Sequence, residues 1–420
     1  MSAPRPTTGG VGSAACTADG GGQPREQQNA GADQHFLDSP LRRRAVLAVS
    51  VGLGGAALPW PAPAGSATAN DDDRVAADRR LVFPRDHGAH SGARIEWWYA
   101  TGWLQAPGTP AATGNALWGF QLTFFRSRTG LADALPGRFA PRQLLFAHAA
   151  LTDVAGGRHM HAQRISRWSG DAQLPEAHAS RGETGLAIGR WALQRDAASG
   201  HYQALLAAPE AGFTLALQLQ PTQPLLLQGD AGLSRKGPLP NQASHYYSQP
   251  QLAVQATLTL AGQRLALPGR GWLDHEWSDD LLAPGAVGWD WIGINLSDGS
   301  ALTAFVLRRA DGSVLWAGGS HRAAGGPQRA FAADAVQFTP QRSWVSPATG
   351  GRYPVQWQID SPAGRFGLRA LLDAQELDSR ASTGTVYWEG LAELLEGGGA
   401  RIGLGYLEMT GRAQPLTLGA

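Results

Sequence analysis

The chain has 420 residues, of which 43% are hydrophobic and only 16% are charged, a composition that suits two domains, or one large β domain, with a sizeable core. A net charge of +1 gives no electrostatic reason to expect nucleic acid as a partner. The single cysteine, Cys16, precedes a candidate cleavage site, so a cleaved protein has no thiol for disulfides, nucleophilic catalysis or zinc binding. The single lysine, Lys236, lies in an exposed-looking S-R-K-G-P stretch, which argues against a Schiff-base mechanism.

The N-terminal region has the layout of an export signal. Residues 1–38 are rich in Gly, Ala, Gln and Pro and are expected to be disordered. The arginines at 42–44 precede an apolar run at 45–58 and a small-residue stretch that ends at Ala69, as in a twin-arginine signal cleaved near that residue. A membrane anchor is the alternative, but the run contains glycines and is shorter than the roughly 20 apolar residues that span a bilayer. We therefore expect residues 1–69 to direct export to the periplasm or the medium.

After a charged linker at 70–80, β-strand signals dominate. Apolar and polar residues alternate in several segments and predict strands at 115–125, 213–220, 252–260, 355–359, 385–389 and 402–410. Residues 294–307 predict a hairpin around the turn Ser297–Ser300. Helical periodicity is nearly absent, and its best case is the short segment 391–395. We expect an all-β protein of two barrel-sized domains, 81–262 and 263–420, with a ligand cleft between or within them.

The densest group of reactive side chains is G-W-L-D-H-E-W at 271–277. In a strand, alternate side chains point to opposite faces, so Trp272, Asp274 and Glu276 would share one face and His275 and Trp277 the other. W-D-W at 289–291 repeats the pattern of an acid between indoles. The candidate acid/base residues are Asp274, His275, Glu276 and Asp290, and the candidate pocket residues are Trp272, Trp277, Trp289 and Trp291.

These residue types favour acid-initiated chemistry on a carbon–carbon double bond. A carboxylic acid surrounded by indoles loses hydration, so its pKa rises and it becomes a general acid near neutral pH. Aromatic faces also stabilise a developing cation. The structural alternative is an ion-pair and hydrogen-bond corner where the two domains meet.

Other segments supply weaker candidates. His87, His90 and Glu96 offer imidazole and carboxylate ligands for a metal, although loop histidines more commonly only form hydrogen bonds. Glu96 is better placed at the edge of an aromatic wall with Trp97 and Trp98, or as a group that caps backbone amides. No metal site and no cofactor are therefore assigned.

Two further segments contain possible ligand-binding side chains. His148 occupies an apolar strand face, where it is either a site residue or a core histidine with satisfied hydrogen bonds. His245, Tyr246 and Tyr247, in the S-H-Y-Y-S segment, either orient a ligand or form part of a barrel rim. The glycine-framed turn of a serine nucleophile is missing there.

Several motifs together resemble the AttH family of secreted lipocalin-like proteins, which is related to the carotenoid 1,2-hydratases and is often described as "predicted secreted hydrolase". The motifs are R-I-E-W-W-Y-A-T-G-W-L at 94–104, F-A-H-A-A-L-T-D at 146–153, S-R-K-G-P, A-S-H-Y-Y-S, W-L-D-H-E-W, W-D-W-I-G-I-N-L, Y-W-E-G and G-Y-L-E-M-T-G. The resemblance runs from about Leu81 to the C-terminus. It implies two lipocalin-like barrels and an apolar, polyene or lipid-like ligand.

The resemblance also implies roles for individual residues. In the hydratases a His-x-Trp pair and a nearby acid are thought to act in protonation; His275 and Trp277 match the pair, and Asp290 is the nearest counterpart of the acid. The chain departs from the hydratases in having Trp289 before that acid and in its export signal, which places it with the secreted branch.

Three hypotheses follow from the sequence. The first is an exported enzyme that performs cofactor-free hydration, isomerisation or hydrolysis on an apolar unsaturated or lipid-like substrate. The second is a periplasmic carrier of a hydrophobic small molecule or lipid that works with a membrane transporter. The third is a metal-dependent hydrolase that uses His87, His90 and Glu96. The first requires the acids and His275 to converge on a cleft, and the third requires both loop histidines to reach one point.

Overall fold

A computed structural model describes residues 73–106, 117–130, 141–169 and 176–416. The predicted leader and signal and the start of the linker lie outside these residues. The described part is nearly all β, as predicted, and its helical segments are short 3-10 turns such as Arg85–His87 and Pro209–Ala211. Within the described residues, no helix is long and apolar enough to cross a membrane.

The first sheet contains thirteen strands. Their bounds are β1 Ile95–Gln105, β2 Leu117–Arg128, β3 Gln143–Asp153, β4 Arg158–Trp168, β5 Ala177–Ala179, β6 Gly185–Ile188, β7 Trp191–Arg195, β8 Tyr202–Ala208, β9 Phe213–Gln220, β10 Leu226–Leu227, β11 Leu233–Arg235, β12 Ala243–Leu260 and β13 Gln263–Ser278. The main path is β4-β3-β2-β1-β13-β12-β9-β8-β7-β6-β5. Its end strands β4 and β5 contact each other, so the sheet is nearly closed into a barrel.

The second sheet contains ten strands. They are β14 Gly288–Leu296, β15 Ala301–Arg308, β16 Val314–Arg322, β17 Gln328–Ala330, β18 Gln337–Val345, β19 Arg352–Ser361, β20 Gly364–Ala370, β21 Glu376–Asp378, β22 Val386–Leu395 and β23 Arg401–Met409. The main path is β17-β16-β15-β14-β23-β22-β20-β19-β18. Both sheets are antiparallel where strands pair.

The alternation in the sequence located most strands correctly. The strand predicted at 213–220 is β9, the segment 252–260 forms the end of β12, and the hairpin at 294–307 is β14 and β15. The segment 391–395, the best case of helical periodicity, is not a helix, because these residues continue β22 and pair with β23. Apolar and small residues there are buried on both faces, and burial on both faces removes the alternation that marks a strand.

The division between the sheets lies later in the chain than the boundary predicted at 262/263. Residues 261–262 form the tight turn between β12 and β13, which pair along most of their length in the first sheet. The change of sheet occurs between Ser278 and Gly288. Proline and glycine near 268–271 suggested a linker, but these residues are tolerated within β13.

Three hydrophobic clusters organise the interior. One fills the first barrel and includes Trp98, Leu273 and Trp277. A second is formed by residues of the second sheet and its connections and includes Ile292 and Trp388. The third contains residues of both sheets, among them Tyr99, Trp272, Trp291, Phe305 and Tyr406, so the two sheets pack against each other through aromatic side chains.

Candidate functional site

The candidate site is a cavity of about 130 Å³ between the two sheets. The first sheet contributes one wall and the second sheet the opposite wall. The first wall consists of Trp97, Tyr99, Thr123, Phe125, His148, Lys236, Tyr246, Asp274 and Glu276. The second wall consists of Trp289, Trp291, Phe305, Leu307, Tyr387, Glu389, Glu408 and Thr410. Most of this lining is aromatic or aliphatic, and its polar groups include the four carboxyls of Asp274, Glu276, Glu389 and Glu408.

Strand alternation divides the motif at 271–277 as the sequence predicted. Asp274 and Glu276 line the cavity, whereas His275 and Trp277 lie among the side chains of the first barrel. The antiparallel register places Tyr99 directly opposite Asp274 and Trp97 opposite Glu276 on neighbouring strands. Directly opposite residues have adjacent side chains on one face, so each acid of the first wall has an aromatic neighbour.

Asp274 is a buried acid held by neutral hydrogen-bond donors. The Trp272 indole donates to Oδ1 at 2.7 Å and the Tyr246 hydroxyl donates to Oδ2 at 2.7 Å. The Trp291 indole donates in turn to the Tyr246 hydroxyl at 3.2 Å. Burial raises the pKa of Asp274 to about 7, although these hydrogen bonds and one from Ser248 lower it. Asp274 therefore exchanges a proton near neutral pH, as a general acid requires.

Glu276 is neutralised by the only lysine of the chain. Lys236 Nζ lies 2.8 Å from Glu276 Oε1, which also accepts a hydrogen bond from Ser244. The ammonium lies 4.2 Å from the Phe305 ring centroid and 4.8 Å from that of Tyr246, within range of cation–π attraction. The expectation that Lys236 is exposed was wrong, because its side chain lines the cavity and pairs with Glu276.

The second wall contributes two carboxyls that no sequence argument assigned. Glu389 on β22 and Glu408 on β23 are directly opposed in the register. Burial raises the pKa of Glu389 well above its usual range, and the charge of Glu408 adds to the effect. Burial also raises the pKa of Glu408 to about 7, with a hydrogen bond from Trp289 opposing and the charges of Asp274 and Glu276 reinforcing the shift. Burial and the charge of each acid on the other therefore both favour the protonated forms.

A signal for these two acids was present in the sequence. Glu389 lies in Y-W-E-G and Glu408 in G-Y-L-E-M, so each has aromatic residues beside it, as Asp274 has. Tyr99, Phe305 and Tyr387 also line the cavity and were not predicted as site residues.

His275 belongs to a separate polar cluster on the opposite face of β13. Its Nε2 lies 2.9 Å from Glu96 Oε1, and its Nδ1 lies 3.1 Å from the Tyr247 hydroxyl. Burial lowers the pKa of His275 to about 4 against the opposing effect of Glu96. His275 therefore does not share the cavity with Asp274.

Glu96 is the centre of this second cluster. Burial alone would raise its pKa, but Arg126 and the surrounding histidines outweigh burial and hold the pKa of Glu96 well below its usual range. Arg126 Nε donates to Oε2 at 2.8 Å and His90 Nδ1 lies 2.7 Å from Oε1. Trp277 stacks on His90 with ring centroids 3.5 Å apart. The cluster is an ionised network that joins the N-terminal segment to the barrel.

The residues proposed for metal binding do not converge as that hypothesis requires. Each of His90, Glu96 and His275 has a ligand atom within 4.8 Å of the others, but His87 turns away and bonds the Tyr247 hydroxyl at 2.8 Å. The converging groups are already hydrogen-bonded to one another, and Arg126 places a positive charge on the same carboxylate. A divalent cation fits this donor set poorly because it would have to displace these bonds beside a guanidinium.

Asp290 also lies outside the cavity. It is buried between Arg308, with Nε at 2.9 Å, and Arg412, with Nη2 at 2.6 Å. Its neighbours Trp289 and Trp291 point the other way and line the cavity. The four predicted acid/base residues are thus divided among three environments, and only Asp274 and Glu276 share the cavity.

The predicted substrate-binding residues divide in the same way. Trp97, His148, Tyr246, Trp289 and Trp291 line the cavity, and Trp272 packs behind Asp274. His148 Nδ1 lies 2.7 Å from the Tyr387 hydroxyl and Nε2 lies 2.8 Å from Ser382 Oγ, and burial lowers the pKa of His148 to about 3. The remaining predicted residues, Glu96, Trp98, His245, Tyr247 and Trp277, lie on the first-barrel side.

Comparisons with known proteins agree with the fold. The AttH-like family profile matches residues 74–412. The crystal structure of a protein described as AttH from Nitrosomonas europaea is 43% identical, with a TM-score of 0.72 over 81% of this chain and 99% of that one. Kievitone hydratase from Nectria haematococca shares the fold at 13% identity, with a TM-score of 0.59 over 80% of this chain and 94% of the hydratase. No curated protein matches the chain in sequence.

Proposed function

The chain belongs to the AttH-like family, and from that premise we propose that it catalyses cofactor-free acid/base chemistry on an apolar, unsaturated or lipid-like substrate in the cavity between its sheets. The observation that carries the proposal is a buried acid, Asp274, whose pKa is raised to about 7 inside a largely aromatic cavity. Hydration and isomerisation are the reactions that this arrangement suits best, and hydrolysis of an ester remains within the same acid/base class.

The proposed reaction begins with proton transfer from the carboxyl of Asp274 to one carbon of a double bond. The adjacent carbon becomes electron-deficient, and the aromatic faces of Trp97, Trp289 and Trp291 stabilise the positive charge. Loss of a different proton from this cation gives an isomer. Addition of water, followed by loss of its extra proton to a carboxylate, gives the hydrated product.

The second wall supplies the base for that last step. Glu389 and Glu408 face the cavity across from Asp274, and an ionised member of this pair accepts the proton released by water or by carbon. Acid and base come from different sheets, so packing of the sheets fixes their separation. A hydratase is built on the same fold in Nectria haematococca, and this fold-level analogy makes addition of water the first reaction to test.

Native mass spectrometry of the purified chain, followed by organic extraction and chromatography, tests the proposal. The comparison is between wild type, Asp274→Asn and Asp311→Asn, which removes an exposed acid from a turn outside the cavity. We expect wild type and Asp311→Asn to release a molecule altered by one water or by isomerisation, while Asp274→Asn retains the unaltered substrate. The same unaltered ligand in all three proteins would contradict enzymatic function.

That contrary outcome would support the second candidate, a carrier of a hydrophobic molecule. Two observations support this candidate: Glu276 and Asp290 each form an ion pair, and the cavity lining is mostly apolar. Such a carrier would deliver its ligand to a membrane transporter. Retention of a lipid by the chain and its transfer to vesicles that contain the transporter would distinguish this function from catalysis.

We also propose that the chain is exported by the twin-arginine route to the periplasm. The support is the arginine cluster at 42–44, the apolar run at 45–58 and the small residues before Asn70. Replacing Arg42 and Arg43 with lysine should retain the chain in the cytoplasm, and N-terminal sequencing of the exported form should begin near Asn70. Unchanged export of the lysine variant would refute this route.

A further inference from the structure

The second wall contains two carboxyls without a cationic partner, that of the buried Glu389 and that of the half-buried Glu408. Glu389 and Glu408 occupy directly opposed positions on β22 and β23, and both line the cavity. Within the described residues, neither forms an ion pair. Most of the other buried acids, such as Glu276, Glu393 and Asp290, pair with lysine or arginine, and Asp274 is the exception. Buried charges are ordinarily paired because an unpaired charge loses its hydration.

A second, independent observation places unused hydrogen-bonding groups at the same point. The hydroxyl of Tyr99 and Oε1 of Glu389 are both buried, and neither forms a hydrogen bond of normal geometry with any described residue. The two groups lie close to each other, and the charge of Glu389 together with a poorly aligned hydrogen bond between them contributes, after burial, to a raised pKa of Tyr99. Buried polar groups usually form well-aligned hydrogen bonds, so this poorly aligned pair points to a ligand that supplies better ones.

The surroundings favour a positive charge. Among the described residues that line the cavity, Lys236 is the only lysine or arginine, and it is already paired with Glu276. Its ammonium lies against the rings of Phe305 and Tyr246, which shows that the cavity accommodates an ammonium between aromatic faces. The rings of Trp291 and Trp289 extend the aromatic surface toward Glu408.

We propose that Glu389, Glu408 and Tyr99 form a subsite for a positively charged group, such as a protonated amine, carried by an otherwise apolar ligand. The carboxylates provide charge and accept hydrogen bonds, Tyr99 accepts a hydrogen bond through its phenolic oxygen, and the apolar part of the ligand contacts the indoles. The inference rests on the proposed function in locating ligand binding in this cavity, and the same subsite would stabilise the cation formed in the proposed reaction. The inference limits the expected ligands of the cavity to molecules that carry a positive charge or develop one during the reaction.

Three probes with the same alkyl chain test the subsite by isothermal titration calorimetry of the full chain: octylamine, which is protonated near neutral pH, neutral 1-octanol and anionic octanoate. We expect octylammonium to bind about tenfold more tightly than 1-octanol, given the strength of cation–π and charge-assisted contacts in desolvated sites, and octanoate to bind most weakly. Because a cation favours ionised carboxyls, its affinity should increase from pH 6 to pH 8, while that of 1-octanol should not change.

Matched variants assign the effect to the subsite. Glu389→Gln and Glu408→Gln keep the shape of the side chain and should remove the preference for octylammonium without altering the affinity for 1-octanol. Tyr99→Phe should reduce the preference in part. Glu396→Gln removes one charge from the exposed turn after β22 and should leave it unchanged, which controls for long-range electrostatics.

Equal affinities of octylammonium and 1-octanol in the wild type, or a preference that survives both glutamine variants, would overturn the inference. These outcomes are independent of turnover. Catalysis lost only in Asp274→Asn, together with no preference for the cation, would leave the proposed function standing and remove the subsite. Binding of the cation without any conversion of ligand in the extraction experiment would support the subsite and contradict the proposed enzymatic function.

Discussion

Asp274→Asn should make the protein more stable at alkaline pH, because the acid is buried in a place that disfavours its charge. The pKa of Asp274 is raised from 3.8 to about 7 by burial, which corresponds to about 4 kcal/mol at about 1.4 kcal/mol per pKa unit. A folded state that binds a proton more tightly than the unfolded state loses stability as pH rises between those two values. The wild type should therefore lose up to about 4 kcal/mol of stability from this group between pH 4 and pH 7.

Asparagine removes that pH dependence and keeps most of the local structure. Its side-chain oxygen still accepts the hydrogen bond from the Trp272 indole, and the Tyr246 hydroxyl can rotate to accept from the amide. We expect Asp274→Asn to unfold at higher urea than the wild type at pH 8, by about 2–4 kcal/mol in free energy after allowance for the altered hydrogen bonds. At pH 4.5 the two proteins should differ little, because Asp274 is then protonated in the fold.

Urea unfolding followed by tryptophan fluorescence at both pH values measures the effect. Asp311→Asn, in an exposed turn, is the control for a general loss of negative charge. If Asp274→Asn differs from the wild type by the same free energy at pH 4.5 and pH 8, then Asp274 does not have a raised pKa. The reasoning that makes it the general acid would then fail as well.

Three other substitutions probe the surroundings of the site. Arg126→Met should destabilise the fold by about 3–5 kcal/mol, because it leaves the buried carboxylate of Glu96 without its guanidinium partner. Urea unfolding measures the loss, and a change below about 1 kcal/mol would show that this ion pair does not stabilise the fold. Gly293→Ala should cost about 1–3 kcal/mol, since the new methyl group would overlap the Trp291 ring, and an unchanged melting temperature would contradict this contact. Glu408→Gln should lower the pKa of Asp274 by removing a nearby negative charge, seen as a shift to lower pH in the stability profile, and an unshifted profile would show that the two acids do not interact.

The all-β class followed from the sequence because alternation is a local property. Residues 213–220 alternate strictly and form β9 at those positions. The turn at Ser297–Ser300 joins the two strands of the predicted hairpin, β14 and β15. The same rule separated Asp274 from His275, since adjacent residues of a strand point to opposite faces. The strand at 391–395 was not recognised because both of its faces are buried, and burial on both faces removes the alternation.

The composition of the cavity depended on tertiary structure. Pairing of β1 with β13 places Tyr99 beside Asp274 although the two residues are far apart in sequence, and pairing of β22 with β23 brings Glu389 and Glu408 together. No local pattern reports which face of a strand will meet a second sheet. Asp290 looked like Asp274 in the sequence, but its strand presents the acid to Arg308 and Arg412 and the indoles to the cavity.

The sequence by itself therefore determined which residues form strands, which side chains share a face and which stretches are dense in acids and indoles, because these depend on neighbours along the chain. The tertiary structure decided which acids lose water without gaining a cation, because desolvation and charge pairing depend on what lies across the sheet. Lys236 neutralises Glu276 from a distant loop, whereas Asp274 is left with neutral donors only. That difference in surroundings, and not the residue type, makes Asp274 the acid of the proposed site.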